Sequence, residues 1–152
     1  MAIVPEVDGA PLHLLKMAVG VGSLDELRDI RALRHKERGA SWVYTRNHPR
    51  RAEAVLAGGS IYWVIRGQIR VRQRVTGFRS ERDEKGRAYC LIDVEPVLQP
   101  TLWRPWRPFQ GWRYLTPADA PPDAPRGYDG SDVSAVPMPE QMLAELRALG
   151  LL

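Results

Sequence analysis

Apolar positions punctuate the chain in a readable order. Residues 12–19, LHLLKMAV, form a short apolar run suited to a buried strand. In SLDELRDIRALRHKER, Leu24, Leu27, Ile30 and Leu33 recur every three residues, close to a helical period. Ser23 stands where an N-cap belongs, Glu26 follows at the capping-box spacing, and Gly39 ends the helix. SWVYTRNH has the character of a second strand. HPRRAEAVLAGG predicts a short helix, with Pro49 near its first turn and Gly58-Gly59 closing it.

The longest β-like stretch is SIYWVIRGQIRVRQRVTGF. From Ile61 to Ile65 it is apolar on both faces, as a central strand would be. After Gly67 the pattern alternates. Ile69, Val71, Gln73 and Val75 are expected on one face, and Gln68, Arg70, Arg72 and Arg74 on the other. SERDEKGR reads as an exposed loop between antiparallel strands, and AYCLIDVEPVLQPT as the return strand, broken at Pro96 and Pro100. Residues 116–137 are proline-rich and aperiodic, a surface arm. In PEQMLAELRALGLL, Met142, Leu146 and Leu149 share one face of a terminal helix over 138–150.

This order predicts an α+β fold in a single domain over 1–152. Its core, 12–115, is expected to be a small mixed β-barrel flanked by helices, with a C-terminal helix. Closure is the economical solution because it leaves no exposed sheet edge. Within LWRPWRPFQGWRYL, residues 102–115, the prolines and the alternation divide the side chains. Trp103 and Trp112 are expected to close the barrel, leaving Arg104, Trp106, Arg107 and Arg113 towards solvent.

Composition narrows the class. A chain that is 44% hydrophobic and 26% charged can bury a core, which argues against disorder. No apolar run approaches the roughly 18–20 residues of a membrane span, and no basic segment precedes the first apolar run, so neither a membrane anchor nor a signal peptide is expected. The single cysteine, Cys90, cannot form an intrachain disulfide; it suits a reducing cytoplasm and a buried packing role. The net charge of +4 favours an anionic partner. Of 22 basic residues only Lys16, Lys36 and Lys85 are lysines. Arginine suits phosphates and base edges, but a GC-rich genome would enrich it equally, so position has to decide.

GGSIYWVIRGQIRVRQ and RPFQGWRYL, followed by DAPPD, carry a resemblance to an uncharacterised domain-of-unknown-function family of alphaproteobacteria. It covers the block 41–115, about half of the chain, and implies no activity. More distantly, a short helix ending in glycines before a strand, then a basic β-meander, resembles the PUA-like barrels, including the ASCH and EVE modules. That likeness implies binding of RNA or a modified base. Some ASCH proteins are amidohydrolases that use a lysine and a threonine just after the helix-ending glycine. Here the stretch runs Gly58, Gly59, Ser60, Ile61, Tyr62; Ser60 stands in for the threonine, and the lysine has no counterpart.

Candidate chemistry centres on the basic row. Residues two apart on a strand lie about 6.6 Å apart on one face, so Arg70, Arg72 and Arg74 would track a nucleic-acid backbone, with Gln68 at one end. A solvated face paired with Glu81, Asp83, Glu84 or Asp93 is the plainer alternative. Rings for base stacking are available in Trp106 and its neighbours. Arg46 and Asn47, with Arg50 and Arg51, flank the start of the short helix, where backbone amides hold anions or a side chain caps. The candidate nucleic-acid contacts are thus Arg46, Asn47, Arg66, Gln68, Arg70, Arg72, Arg74, Trp106, Arg107 and Arg113.

Three functions stay open. The first is a binding module for RNA or a modified nucleotide. The second is a protein-interaction module working through 102–115 or the terminal helix. The third is a small nucleoside-directed hydrolase in which Ser60 and a carboxylate converge. His13, His35 and His48 lack metal-ligand spacing, and no nucleophile elbow, Walker loop or dinucleotide fingerprint occurs, so no cofactor is expected.

Overall fold

A computed structural model describes residues 11–130. The elements run β1 (His13–Met17), α1 (Leu24–Arg38), β2 (Trp42–Thr45), α2 (Ala52–Leu56), β3 (Ser60–Ile65), β4 (Gln68–Arg82), β5 (Ala88–Val94), β6 (Gln99–Pro105) and β7 (Trp112–Leu115). The fold is α+β. The helix expected over 138–150 and residues 131–137 of the arm lie outside the described residues.

The seven strands form one sheet in the order β2-β5-β4-β3-β1-β7, with β6 also on β4. β1 is parallel to β3 and all other pairs are antiparallel. β3 and β6 both pair with Gln68–Arg72, so they lie on opposite edges of β4. β3 is buried at every residue, as its unbroken apolar run requires. Ile61, Trp63 and Ile65 enter one cluster, together with Leu14, Val43, Val71, Val75, Cys90, Ile92, Leu27 of α1 and Val55 of α2. Tyr62 and Val64 enter the other, with Leu15, Ile69 and Leu115, against which Trp106 and Phe109 pack.

The sheet is curled but not closed, which corrects the barrel expectation. β2 at one end and Trp112 of β7 at the other both pack on the first cluster, so the two ends approach each other. They are joined by side chains instead of a ladder: Trp112 Nε1 donates to the Asn47 carbonyl (2.9 Å), and the Arg51 amide donates to the Tyr114 hydroxyl (3.0 Å). Both end strands are only four residues long, and short edges resist unwanted pairing without closure. The arm covers β6 in the same spirit, through a Thr101–Asp123 bridge flanked by bonds from Leu102 to Pro122 and from Ala124 to Pro100.

Other expectations shift for local reasons. Ser23 caps α1 by accepting from the Glu26 amide, and the Glu26 carboxylate accepts from the Gly22 amide, one residue earlier than the usual box. Leu33 is exposed, because nine residues on from Leu24 is half a turn out of phase. The inward stripe instead continues from Leu27 to Arg31. Pro100 lies inside β6, and the interruption falls between β5 and β6. SERDEKGR is half strand: β4 runs on to Arg82 before the turn.

Gly59 is fixed by close approach. A Cβ there would collide with the Leu12 carbonyl and lie 2.7 Å from the Val55 carbonyl, both backbone atoms. Gly59→Ala is expected to cost about 2 kcal/mol or more. Gly86→Ala, at a left-handed turn position with open space around it, should cost about 1–2 kcal/mol. Urea unfolding of both variants checks the ranking; a Gly59→Ala variant as stable as the parent would contradict this packing.

Candidate functional site

The expected arginine row does not form. The β3–β4 ladder has a bulge: Trp63 pairs with Val71 but Val64 pairs with Ile69, leaving Arg70 unmatched. Ile69 therefore joins the second cluster while Val71 and Val75 join the first. Gln68 sits opposite Ile65, and Arg72 opposite Tyr62, so these two lie on opposite faces. Arg70 stacks on Trp103 at 3.9 Å, and Trp103 is itself covered by Gly130 and by Tyr128.

Arg72 grips both oxygens of Asp123 (2.8 and 2.9 Å) and donates to the Ser60 hydroxyl (3.0 Å). It is thus the tie between β4 and the arm. Only Arg74 of the row is exposed. Gln68 Oε1 and Arg70 Nε are buried without partners among the described residues.

The remaining candidates scatter. Arg66 is exposed in the β3–β4 turn with φ 50°, followed by Gly67 at 79°, the two positive values of a tight hairpin turn. Asn47 offers its carbonyl to Thr45 and Trp112; α2 begins only at Ala52, without a side-chain cap. Arg46 donates to the Ala88 carbonyl (2.9 Å) and lies 3.8 Å from Asp83. Trp106, expected towards solvent, is half-buried on the second cluster. Arg107 and Arg113 are exposed, and Arg113 turns back to the Gln110 and Trp112 carbonyls.

Ser60 and a carboxylate do converge, but Arg72 stands between them and occupies both. His13 Nδ1 accepts from the Ser60 amide (3.1 Å) and its ring meets Tyr62 edge-on. Burial, helped by Arg72, lowers the His13 pKa to about 4, so the imidazole is neutral and engaged with backbone. The Ser60 hydroxyl is held by Arg72 and is not wired to a base among the described residues. Among the described residues no group of three or more His, Cys, Asp or Glu side chains could hold a metal ion.

The structure gathers cations and rings elsewhere, along β2, with α1 on one side of it and β5 on the other. Alternation turns Val43 and Thr45 inward and Trp42 and Tyr44 outward along edge strand β2. The Arg38 guanidinium lies over the Trp42 ring at 3.6 Å, that of Arg46 lies 5.8 Å from Tyr44, and Tyr44 and Tyr89 are 5.2 Å apart. On one side of Trp42 is a cavity of about 280 Å³, lined by Lys16 and Trp63 from the sheet and by Leu27, Ile30, Arg31, Arg34 and Arg38 from α1. On the other side is an open groove of about 780 Å³, walled by Trp42, Tyr44, Tyr89 and Leu91 and rimmed by Arg82, Asp83, Glu84, Lys85 and Arg87. Asp83 is occupied as a turn acceptor for the Lys85 and Arg87 amides.

Arg31 is the unusual member. It is 4% exposed, donates to the Trp42 carbonyl at 3.0 Å, lies 5.9 Å from the Trp63 ring centroid, and leaves Nε without a partner. Burial, then Arg34 and Arg38, lowers its pKa to about 10, and it stays charged at neutral pH. Burial lowers the Lys16 pKa as well. The sequence signal for this site was the spacing of Arg31, Arg34 and Arg38 along one helix face.

The chain matches a family model described as "Protein of unknown function (DUF1489)" over residues 14–152. No curated protein and no solved structure matches it. No helix among the described residues is long and apolar enough to cross a membrane.

His13 makes stability depend on pH. The unfolded chain takes up a proton near pH 6.5 that the folded chain refuses until about pH 4. Stability is therefore kept above about pH 6.5 and falls as pH drops from there towards 4, by about 3 kcal/mol at most from this group. His13→Gln should flatten that part of the profile in urea unfolding at stepped pH. An unchanged slope would contradict the assignment.

Proposed function

We propose that this chain, which belongs to the DUF1489 family, binds single-stranded RNA or nucleotides through the α1–β2–β5 surface. The supporting observation is the run of Arg38 on Trp42, then Tyr44 beside Tyr89 and Arg46, along β2, which pairs with no strand but β5 among the described residues. Single-strand binders need rings for bases and cations for the backbone, side by side. That strip offers both. A base inserted over Tyr44 or Tyr89 would leave its phosphates near Arg38, Arg46 and Arg87, where guanidinium groups bind them in forked geometry.

The reading keeps the nucleic-acid partner expected from sequence and moves the contacts. Arg46 stays in the set; Arg38, Trp42, Tyr44 and Tyr89 enter it. Arg72 leaves it, because it grips both oxygens of Asp123 and the Ser60 hydroxyl, and Arg70 leaves it, because the arm covers the Trp103 on which it stacks. A PUA-like kinship gains indirect support from the curled sheet and from the short helix that ends in glycines before the central strand.

Fluorescence anisotropy with a mixed-sequence RNA oligonucleotide, repeated over a range of salt, tests the proposal. Affinity should fall as salt rises. Tyr44→Ala, at an exposed position, should weaken binding about tenfold, within the range for one lost base stack, and Arg74→Ala much less. Absence of RNA and DNA binding at low salt would overturn the single-strand reading, as would undiminished binding by Tyr44→Ala.

A further inference from the structure

We infer that the cavity between α1 and strands β1, β2 and β3 is a phosphomonoester site that takes the terminal phosphate of a nucleotide or of a nucleic-acid end. This deepens the reading above and rests on it: the strip takes bases, and the cavity takes the phosphate.

Charge is the first ground. Lys16, Arg31, Arg34 and Arg38 line one small space, no lining residue is acidic, and among the described residues none of the four forms an ion pair with a carboxylate. Like charges brought this close repel, and Arg31 is buried as well. A buried cation needs a paired counter-charge. Arg31 has only the Trp42 carbonyl and the Trp63 ring, 5.9 Å away, and its Nε has no acceptor among the described residues. An anion in the cavity would supply what the protein leaves out.

The kind of anion follows from number and size. A backbone phosphodiester brings one negative charge, whereas a phosphomonoester brings about 1.5–2 at neutral pH, with three strong acceptor oxygens. Four cations match the second better. At about 280 Å³ the space lies at the small end of ligand pockets, which suits a phosphate and its sugar. Trp42 is shared by cavity and groove, so a phosphate held by Arg31 and Arg34 would leave the attached base beside the Trp42–Tyr44 strip.

The test compares one oligonucleotide in three forms, with a 5′-phosphate, with a 3′-phosphate and with hydroxyls at both ends, alongside a nucleoside monophosphate and inorganic phosphate. Direct binding is followed by tryptophan fluorescence, since Trp42 and Trp63 line the cavity. One phosphorylated form should bind about tenfold or more tightly than the hydroxyl form, as expected for charged hydrogen bonds. Arg34→Ala, at an exposed helix position, should abolish that preference, and Lys36→Ala, which removes the same charge outside the cavity, should preserve it.

Equal affinity for phosphorylated and hydroxyl ends would overturn the site while leaving the base-stacking strip intact. Binding of the monophosphate, lost in Arg34→Ala, with no oligonucleotide bound, would keep the site and identify a free nucleotide as the source, while the strip reading fails; binding of inorganic phosphate alone would overturn the nucleotide assignment. No response to any phosphorylated probe would overturn the site.

Discussion

β3 is buried on both faces, and most of the structure follows from covering it. Ile61, Trp63 and Ile65 require a cover on one side, Tyr62 and Val64 on the other. The first side is met by curling the sheet and laying α1 and α2 across it; the second by Leu15, Ile69 and the Trp106–Phe109 segment. A helix laid on a sheet presents one stripe inward. On α1 that stripe begins with Leu27 and meets Arg31 one turn later, so a guanidinium is carried to the rim of the core. The position of Arg31 fixes what its neighbours do: its bond to the Trp42 carbonyl ties α1 to β2 and sets the indole where Arg38 can cover it.

Nineteen arginines on one chain look interchangeable until their partners are known. Arg72 and Arg79 have carboxylates at short range, Asp123 and Asp93. Arg70 lies on an indole covered by the arm. These are cations whose charge or face is spent on holding strands and arm together. Arg31, Arg34 and Arg38 converge instead on a space with no acid in its lining, and this difference in partners is the ground for the proposed ligand site.

Much of the fold was legible in the sequence. Ser23, Glu26 and Gly39 delimit α1, the two-sided apolar run marks β3, and Cys90 is buried as a free thiol. The alternation in GWRYL correctly pairs Trp112 with Tyr114, whose rings meet at 4.8 Å. Closure was not legible, because side chains of Trp112 and Tyr114 join the ends where backbone pairing was expected. Nor was the site. Strict alternation after Gly67 implies a continuous row, but a single bulged residue, Arg70, divides it, and nothing in a period-two pattern reports a bulge. The spacing of Arg31, Arg34 and Arg38 was present in the sequence, but the three-residue leucine spacing drew the helix face towards Leu33, which the structure exposes. The pairing of Arg72 with Asp123 spans 51 positions and leaves no local trace.

The central claim is that the ligand surface lies at α1–β2–β5 and not along β4. The five tryptophans are built-in reporters, because Trp42 and Trp63 line the α1 cavity, Trp103 lies under Arg70, and Trp106 and Trp112 pack on the two clusters. A two-dimensional nitrogen–proton NMR titration with single-stranded RNA resolves their indole signals. The account expects the Trp42 signal to shift most, with Trp63 following and Trp103 and Trp106 staying still. A shift centred on Trp103, with Trp42 unmoved, would contradict it.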